Sequence, residues 1–153
     1  MTRINLIEPK YLADSHAFAE WREIVRVPTL LRDSLKKKTV REIFQSIPKR
    51  YSMGTGHVKF FLDKQEFLMR RHIALTDELH LRGYALNESK TSEEIFQEGI
   101  DKQFFLGYNP DREETKENVE RVLLRIEEKE SFYKYYREPV ETGFYRAIYK
   151  DFL

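Results

Sequence analysis

Residues 14–35 read DSHAFAEWREIVRVPTLLRDSL. At 100° per residue, Ala17, Phe18, Trp21, Ile24, Val25, Leu31 and Leu35 fall on one broad apolar face, and Ser15, Ala19, Arg22, Arg26 and Asp33 fall opposite. That period predicts an amphipathic helix with Asp14 as its N-cap. Pro28 lacks a backbone donor, so the helix is expected to kink near Val27 and continue to about Leu35. Glu23 and His16 lie close together on one flank of the polar side. Arg22 and Arg26 stand beside them, one turn apart. Two guanidinium groups next to a carboxylate and an imidazole suit an anionic backbone with acid–base chemistry alongside. On pattern alone, the commoner fate of such a face is plain solvation.

Upstream lies MTRINLIEPKYLA. An initiator Met1 followed by a residue as small as Thr2 is expected to be trimmed, which leaves the Thr2 amine at the front of the chain. An α-amine titrates near 7.7–8.0 and a lysine near 10.4, so at pH 7 roughly 15% of the former is neutral and less than roughly 0.1% of the latter. Only the neutral amine attacks carbon. A leading amine therefore forms a Schiff base with little pKa tuning.

Downstream, Lys36-Lys37-Lys38 reads as a helix end or a phosphate contact. Thr39 with Glu42, Asp63 with Glu66 and Thr91 with Glu94 have the spacing of capping boxes. Gly54 and Gly56 predict a tight turn. Leu68, His72, Leu75 and Leu79 line one face of a second long helix, stopped at Gly83. His57 reads either as a phosphate contact or as packing under the glycine turn. Asn109-Pro110 is expected to open a third helix, with Val119, Leu123 and Ile126 as its buried stripe and Val122 flanking. Phe144, Tyr145, Ile148, Tyr149 and Phe152 predict a C-terminal tail that docks.

The composition supports one all-α domain. Of 153 residues, 41% are hydrophobic, 35% are charged, and six glycines with five prolines leave long stretches free for helix. There are no cysteines, which excludes disulfides, thiol catalysis and cysteine-ligated zinc. No apolar run approaches a membrane span, and no signal-peptide core is expected at the N-terminus. The net charge of +1 hides a polarity: residues 1–75 carry 15 Lys and Arg against 8 Asp and Glu (net +7), and residues 76–153 carry 12 against 18 (net −6). Such asymmetry predicts one basic working surface.

Met1-Thr2-Arg3-Ile4-Asn5-Leu6, Leu12-Ala13-Asp14, His16, Ala19-Glu20, Arg22-Glu23 and Arg26 resemble, without a gap, the start of the phage-type pyrimidine-dimer DNA glycosylase family. The resemblance continues through Gly54, Gly56-His57-Val58, Phe60-Phe61, Asp63-Lys64, Glu66-Phe67-Leu68, Arg71 and Arg82-Gly83, and returns at Tyr133-Lys134-Tyr135-Tyr136, with Phe132 in place of a tryptophan. It covers roughly residues 1–83 and 119–137. Ser15 and Val25 depart from it, standing where the phage pattern has glutamine and proline.

The resemblance implies a single domain over residues 1–153, of three main helices with the N-terminal segment inserted between them and residues 138–153 as an extension. It implies a DNA glycosylase with abasic-site lyase activity on ultraviolet pyrimidine dimers, acting as a monomer on double-stranded damaged DNA. The base opposite the lesion would be extruded, and no metal or cofactor is called for. Thr2 and Glu23 would be catalytic, and Arg3, His16, Arg22, Arg26, Arg121, Arg125, Tyr133 and Lys134 would contact DNA. The expected location is the cytoplasm of a bacterial or phage-infected cell, at the nucleoid. The alternatives are the same amine chemistry on abasic or oxidised-base lesions, or a non-catalytic helical DNA-binding module.

Overall fold

The computed structural model describes residues 3–153, and Arg3–Ile7 run through it in neither helix nor strand. Chain outside regular structure must satisfy its buried backbone groups some other way. Here side chains from distant elements do it. The Ile4 N–H donates to His57 Nε2 (2.8 Å), the Leu6 N–H donates to Asn118 Oδ1 (2.8 Å), the Tyr51 hydroxyl donates to the Ile4 carbonyl (3.2 Å), and Arg71 Nη1 donates to the Ile7 carbonyl (2.7 Å). The expected insertion of this segment among the helices is found. Both ring nitrogens of His57 are used internally, Nδ1 against the Ser52 carbonyl at 2.7 Å. His57 therefore packs under the glycine turn and is not turned toward a phosphate.

The 14–35 helix is two helices, α1 (Asp14–Glu23) and α2 (Arg26–Leu35). The break falls at Ile24–Val25, earlier than the expected kink near Val27. A proline ring clashes with the carbonyl four residues back, which for Pro28 is that of Ile24. Restarting at Arg26 puts Pro28 in the first turn of α2, where no intrahelical partner is lost. Asp14 is not the N-cap. Ala13 holds that position, and Asp14 is the first helical residue with its carboxylate turned elsewhere.

Helix α3 (Val40–Ser46) opens with the expected Thr39–Glu42 capping box, and α4 (His57–Phe60) follows Gly56, whose φ of 85° suits glycine alone. Helix α5 (Gln65–Leu81) buries Leu68, His72, Leu75 and Leu79 and stops at Gly83 as expected. Its Asp63–Glu66 box does not form, because Asp63 pairs with Lys64 (2.8 Å) and Glu66 with Arg70 (2.9 Å). The Thr91–Glu94 box opens α6 (Ser92–Gln97), which packs on α5. Helix α7 (Arg112–Glu127) starts later than expected. Asp111 is its N-cap in a reciprocal box with Glu114, and Asn109-Pro110 lies outside. Val119 and Ile126 of the expected stripe are buried, but Val122, expected only to flank it, is buried in place of Leu123, which is half-buried.

The C-terminal region adds a hairpin that the sequence did not announce. Strands β1 (Lys134–Tyr135) and β2 (Glu138–Pro139) pair antiparallel around Tyr136 and Arg137, at φ 51° and 70°. Such two-residue turns usually take Asn-Gly. Here the N–H groups of Tyr136 and Arg137 both donate to the Asp14 carboxylate (3.0 and 2.7 Å), which also accepts from Arg82 and Tyr84 at 2.7 Å each. Burial alone would raise the Asp14 carboxyl, but hydrogen bonds from Tyr84, Arg137 and Arg82 outweigh it and hold it below the usual carboxylate range. Helix α8 (Thr142–Tyr149) then docks on α7, as the aromatic tail predicts, and the Tyr149 hydroxyl donates to the Tyr11 carbonyl at 2.6 Å.

Candidate active site and DNA interface

Helices α1 and α7 flank the threaded N-terminal segment, and a cavity of about 360 Å³ opens between them. Residues on one helix face recur every three or four positions. On α1 that face presents His16, Ala19, Glu20 and Glu23, and on α7 it presents Arg121, Val122 and Arg125. Arg3, Asn5 and Met53 complete the lining. The cavity thus collects Arg3, His16, Glu23, Arg121 and Arg125 from three parts of the chain. Thr2 lies outside the described residues, bonded to Arg3.

The two carboxylates of the cavity differ. Glu20 is buried and forms an ion pair with Arg71, and its Oε1 also accepts from Asn5 Nδ2 at 2.7 Å. Its charge and lone pairs are occupied. Glu23 is half-buried, and among the described residues no hydrogen bond or ion pair engages its carboxylate. Within the described residues, one acid is committed to structure and the other has no partner.

His16 is equally distinctive. Burial pushes its pKa down to about 4, so the imidazole is neutral near pH 7. Its ring rests on Tyr133 with centroids 4.7 Å apart, and its Nδ1 has no partner among the described residues. Tyr133 thus backs His16 without itself lining the cavity.

The remaining sequence-predicted residues lie elsewhere. Arg22 and Lys134 line a separate concavity of about 430 Å³ with Ser15, Phe18, Tyr84 and Phe132. Arg26 is exposed and lines neither cavity. A larger cavity of about 710 Å³ opens beside Trp21, Arg22, Val25 and Arg32. On its floor the Trp21 indole stacks on His72, with ring centroids 6.1 Å apart and planes 14° apart. Loop residues 87–90 and α6 form its outer wall.

Sequence reasoning missed Asn5, Glu20, Arg71 and Asn118. Glu20 carried a signal: it sits one turn after His16 and one before Glu23. Asn118 carried another, a polar residue inside the apolar stripe of α7. Among the described residues, no group of three or more acidic, His or Cys side chains is placed to hold a metal ion, and no helix is long and apolar enough to cross a membrane. Residues 1–92 match the family model described as pyrimidine dimer DNA glycosylase, and the chain, more than half of it matched, belongs to that family.

Proposed function

With membership of this DNA repair glycosylase family as the premise, we propose that the chain couples base excision to strand scission through the Thr2 amine. The substrate is double-stranded DNA carrying a cyclobutane pyrimidine dimer, and the enzyme acts as a monomer. The observation that carries this reading is the cavity at the head of the N-terminal segment, which Arg3, Arg121 and Arg125 line together with Glu23, a carboxylate that no described residue engages.

The amine attacks C1′ of the damaged nucleoside. The C1′–N bond breaks, and its electron pair leaves with the base, which takes up a proton. The bound nitrogen loses one proton, its lone pair closes a C1′=N iminium, and the C1′–O4′ bond breaks, its electron pair leaving with O4′, which takes up a proton as the sugar ring opens. Glu23 stabilises that cation and accepts the proton that the iminium makes acidic at C2′. The electrons released then expel the 3′ phosphate by β-elimination, so the amine itself supplies the electron sink. Neutral His16 offers a hydrogen-bonding nitrogen without adding charge. The three arginines hold phosphates, and Arg22 and Lys134 in the neighbouring concavity extend that basic track. A stacked dimer hides its reacting carbon, so access requires bent DNA and an extruded nucleotide. The 710 Å³ cavity over Trp21 and His72 has the aromatic floor and the size for one.

Borohydride added during turnover tests this. A covalent adduct whose DNA-bearing peptide begins at Thr2 supports the reading, and strand scission with no trappable adduct overturns it. Glu23→Gln should slow elimination by about 10²–10⁴-fold, the usual weight of a general acid–base group. Parallel dimer-containing and abasic duplexes separate dimer excision from a bare abasic lyase.

A further inference from the structure

Asn118 is a fully buried amide on the stripe of α7 that is otherwise Val119, Val122 and Ile126. Both ends of it are committed to the N-terminal segment. Its Oδ1 accepts the Leu6 N–H at 2.8 Å, and its Nδ2 donates to Asn5 Oδ1 at 2.7 Å. Asn5 passes the connection on to Glu20, and Arg71 returns from Glu20 to the Ile7 carbonyl. Three and seven residues after Asn118, the same helix carries Arg121 and Arg125 into the cavity. Arg3–Ile7 have no strand or helix partner to set their position, so side chains must set it.

We propose that Asn118 is a positioning residue, which fixes residues 5 and 6 to α7 and so sets where the leading amine stands relative to Arg121, Arg125 and Glu23. This rests on the amine chemistry above and goes beyond it. Asn118 lies outside the residues that the family match covers. A leucine there has nearly the same shape but leaves the Leu6 N–H and Asn5 Oδ1 facing apolar atoms. An alanine leaves room for a water, which would bridge the gap loosely. In both, Ile4 stays tied to His57 and Tyr51, so the segment shifts without coming free.

The test is single-turnover cleavage of an abasic duplex by the full chain, with active sites titrated by borohydride trapping at long times. Asn118→Leu and Asn118→Ala should show a rate constant 10- to 100-fold lower at full trapping amplitude. Binding to a duplex with a tetrahydrofuran abasic analogue should stay within about twofold. A merely structural residue behaves the other way: amplitude falls while the rate constant per active site holds. Val119→Ala, a neighbouring core deletion, serves as the control for that pattern. If the asparagine variants behave like the control, the proposal is wrong. Should neither asparagine variant fold, hydrogen exchange of the Leu6 amide in the unaltered protein decides. Exchange only with the slowest amides of α7 supports the anchor, and faster local exchange overturns it. Absence of any adduct in the unaltered protein defeats the Schiff-base reading instead, and leaves the Leu6 measurement to judge Asn118.

Discussion

The two ends of the chain are both fastened to the same helical body, but by opposite means. Residues 3–7 are gripped by buried polar side chains: His57, Tyr51, Asn118 and Arg71 each reach a backbone group. Residues 142–153 adhere through aromatic burial. Tyr145 and Tyr149 are fully buried, and Phe152 meets the Tyr11 ring edge-on at 5.2 Å. Apolar burial is strong and non-directional, whereas a hydrogen bond weakens steeply off its angle. The contrast implies a division of labour. The C-terminal region supplies adhesion, and the N-terminal segment is held by directional bonds that fix position, which is what the amine chemistry proposed above requires of it.

The hardest blow to that contrast is Arg71→Leu. It leaves Glu20 charged and buried without its partner, and breaking one side of such a pair costs about 3–5 kcal/mol. Urea unfolding should register the full loss. Glu20→Met with Arg71→Met removes both charges and should recover most of the stability, because replacing a whole buried pair is often nearly neutral. The rate should not recover, since Asn5 Nδ2 and the Ile7 carbonyl lose their partners, and Asn118 alone is left to hold Asn5. Full recovery of rate would show that adhesion alone suffices at this end too.

Tyr145→Ala sharpens the comparison from the other side. Emptying a fully buried aromatic site costs about 3 kcal/mol. Denaturant midpoints should fall accordingly, while the single-turnover rate of the molecules that remain folded stays within about twofold, as befits a residue whose work is adhesion. A matching fall in rate would mean that the C-terminal region reaches into the active site.

The two fastenings also differed in how far the sequence disclosed them. Hydrophobic period located α1, α5 and α7, and the aromatic residues of the tail announced that it docks. Those signals are local. Pro28 announced a break but not its position, which depends on the clash at the Ile24 carbonyl. The hairpin stayed hidden because Tyr136 and Arg137 are poor turn residues in isolation, and the groups that stabilise their left-handed conformation belong to Asp14, 122 and 123 positions away. The Asn118–Asn5 bond spans 113 positions. In the cavity, the chemistry-bearing residues stood at legible spacing from one another on α1. Their structural supports were only half legible: Glu20 stood at turn spacing and Asn118 interrupted an apolar stripe, but nothing local names the distant partner of a buried polar side chain.

Acidification gives the finest separation of the two fastenings. Burial lowers the pKa of His57, and its Nε2 must be neutral to accept the Ile4 N–H. A histidine depressed in the fold contributes fully above its unfolded pKa of about 6.5 and progressively less as pH drops below it. His16 follows the same sign, with a folded value of about 4. Asp14 behaves as a depressed carboxylate: its support of the Tyr136 and Arg137 N–H groups is complete above the ordinary value near 3.8 and fades only below it. Between pH 6.5 and 4.5 the Ile4 amide should therefore lose protection relative to the intrinsic exchange rate, while the Tyr136 and Arg137 amides keep theirs. Hydrogen exchange followed residue by residue measures this directly. If all three amides weaken together from pH 6.5, the ends are not independently fastened, and the N-terminal grip is only one face of global stability. If Ile4 weakens alone, the protein loosens its N-terminal segment in mild acid with the Asp14-supported turn intact.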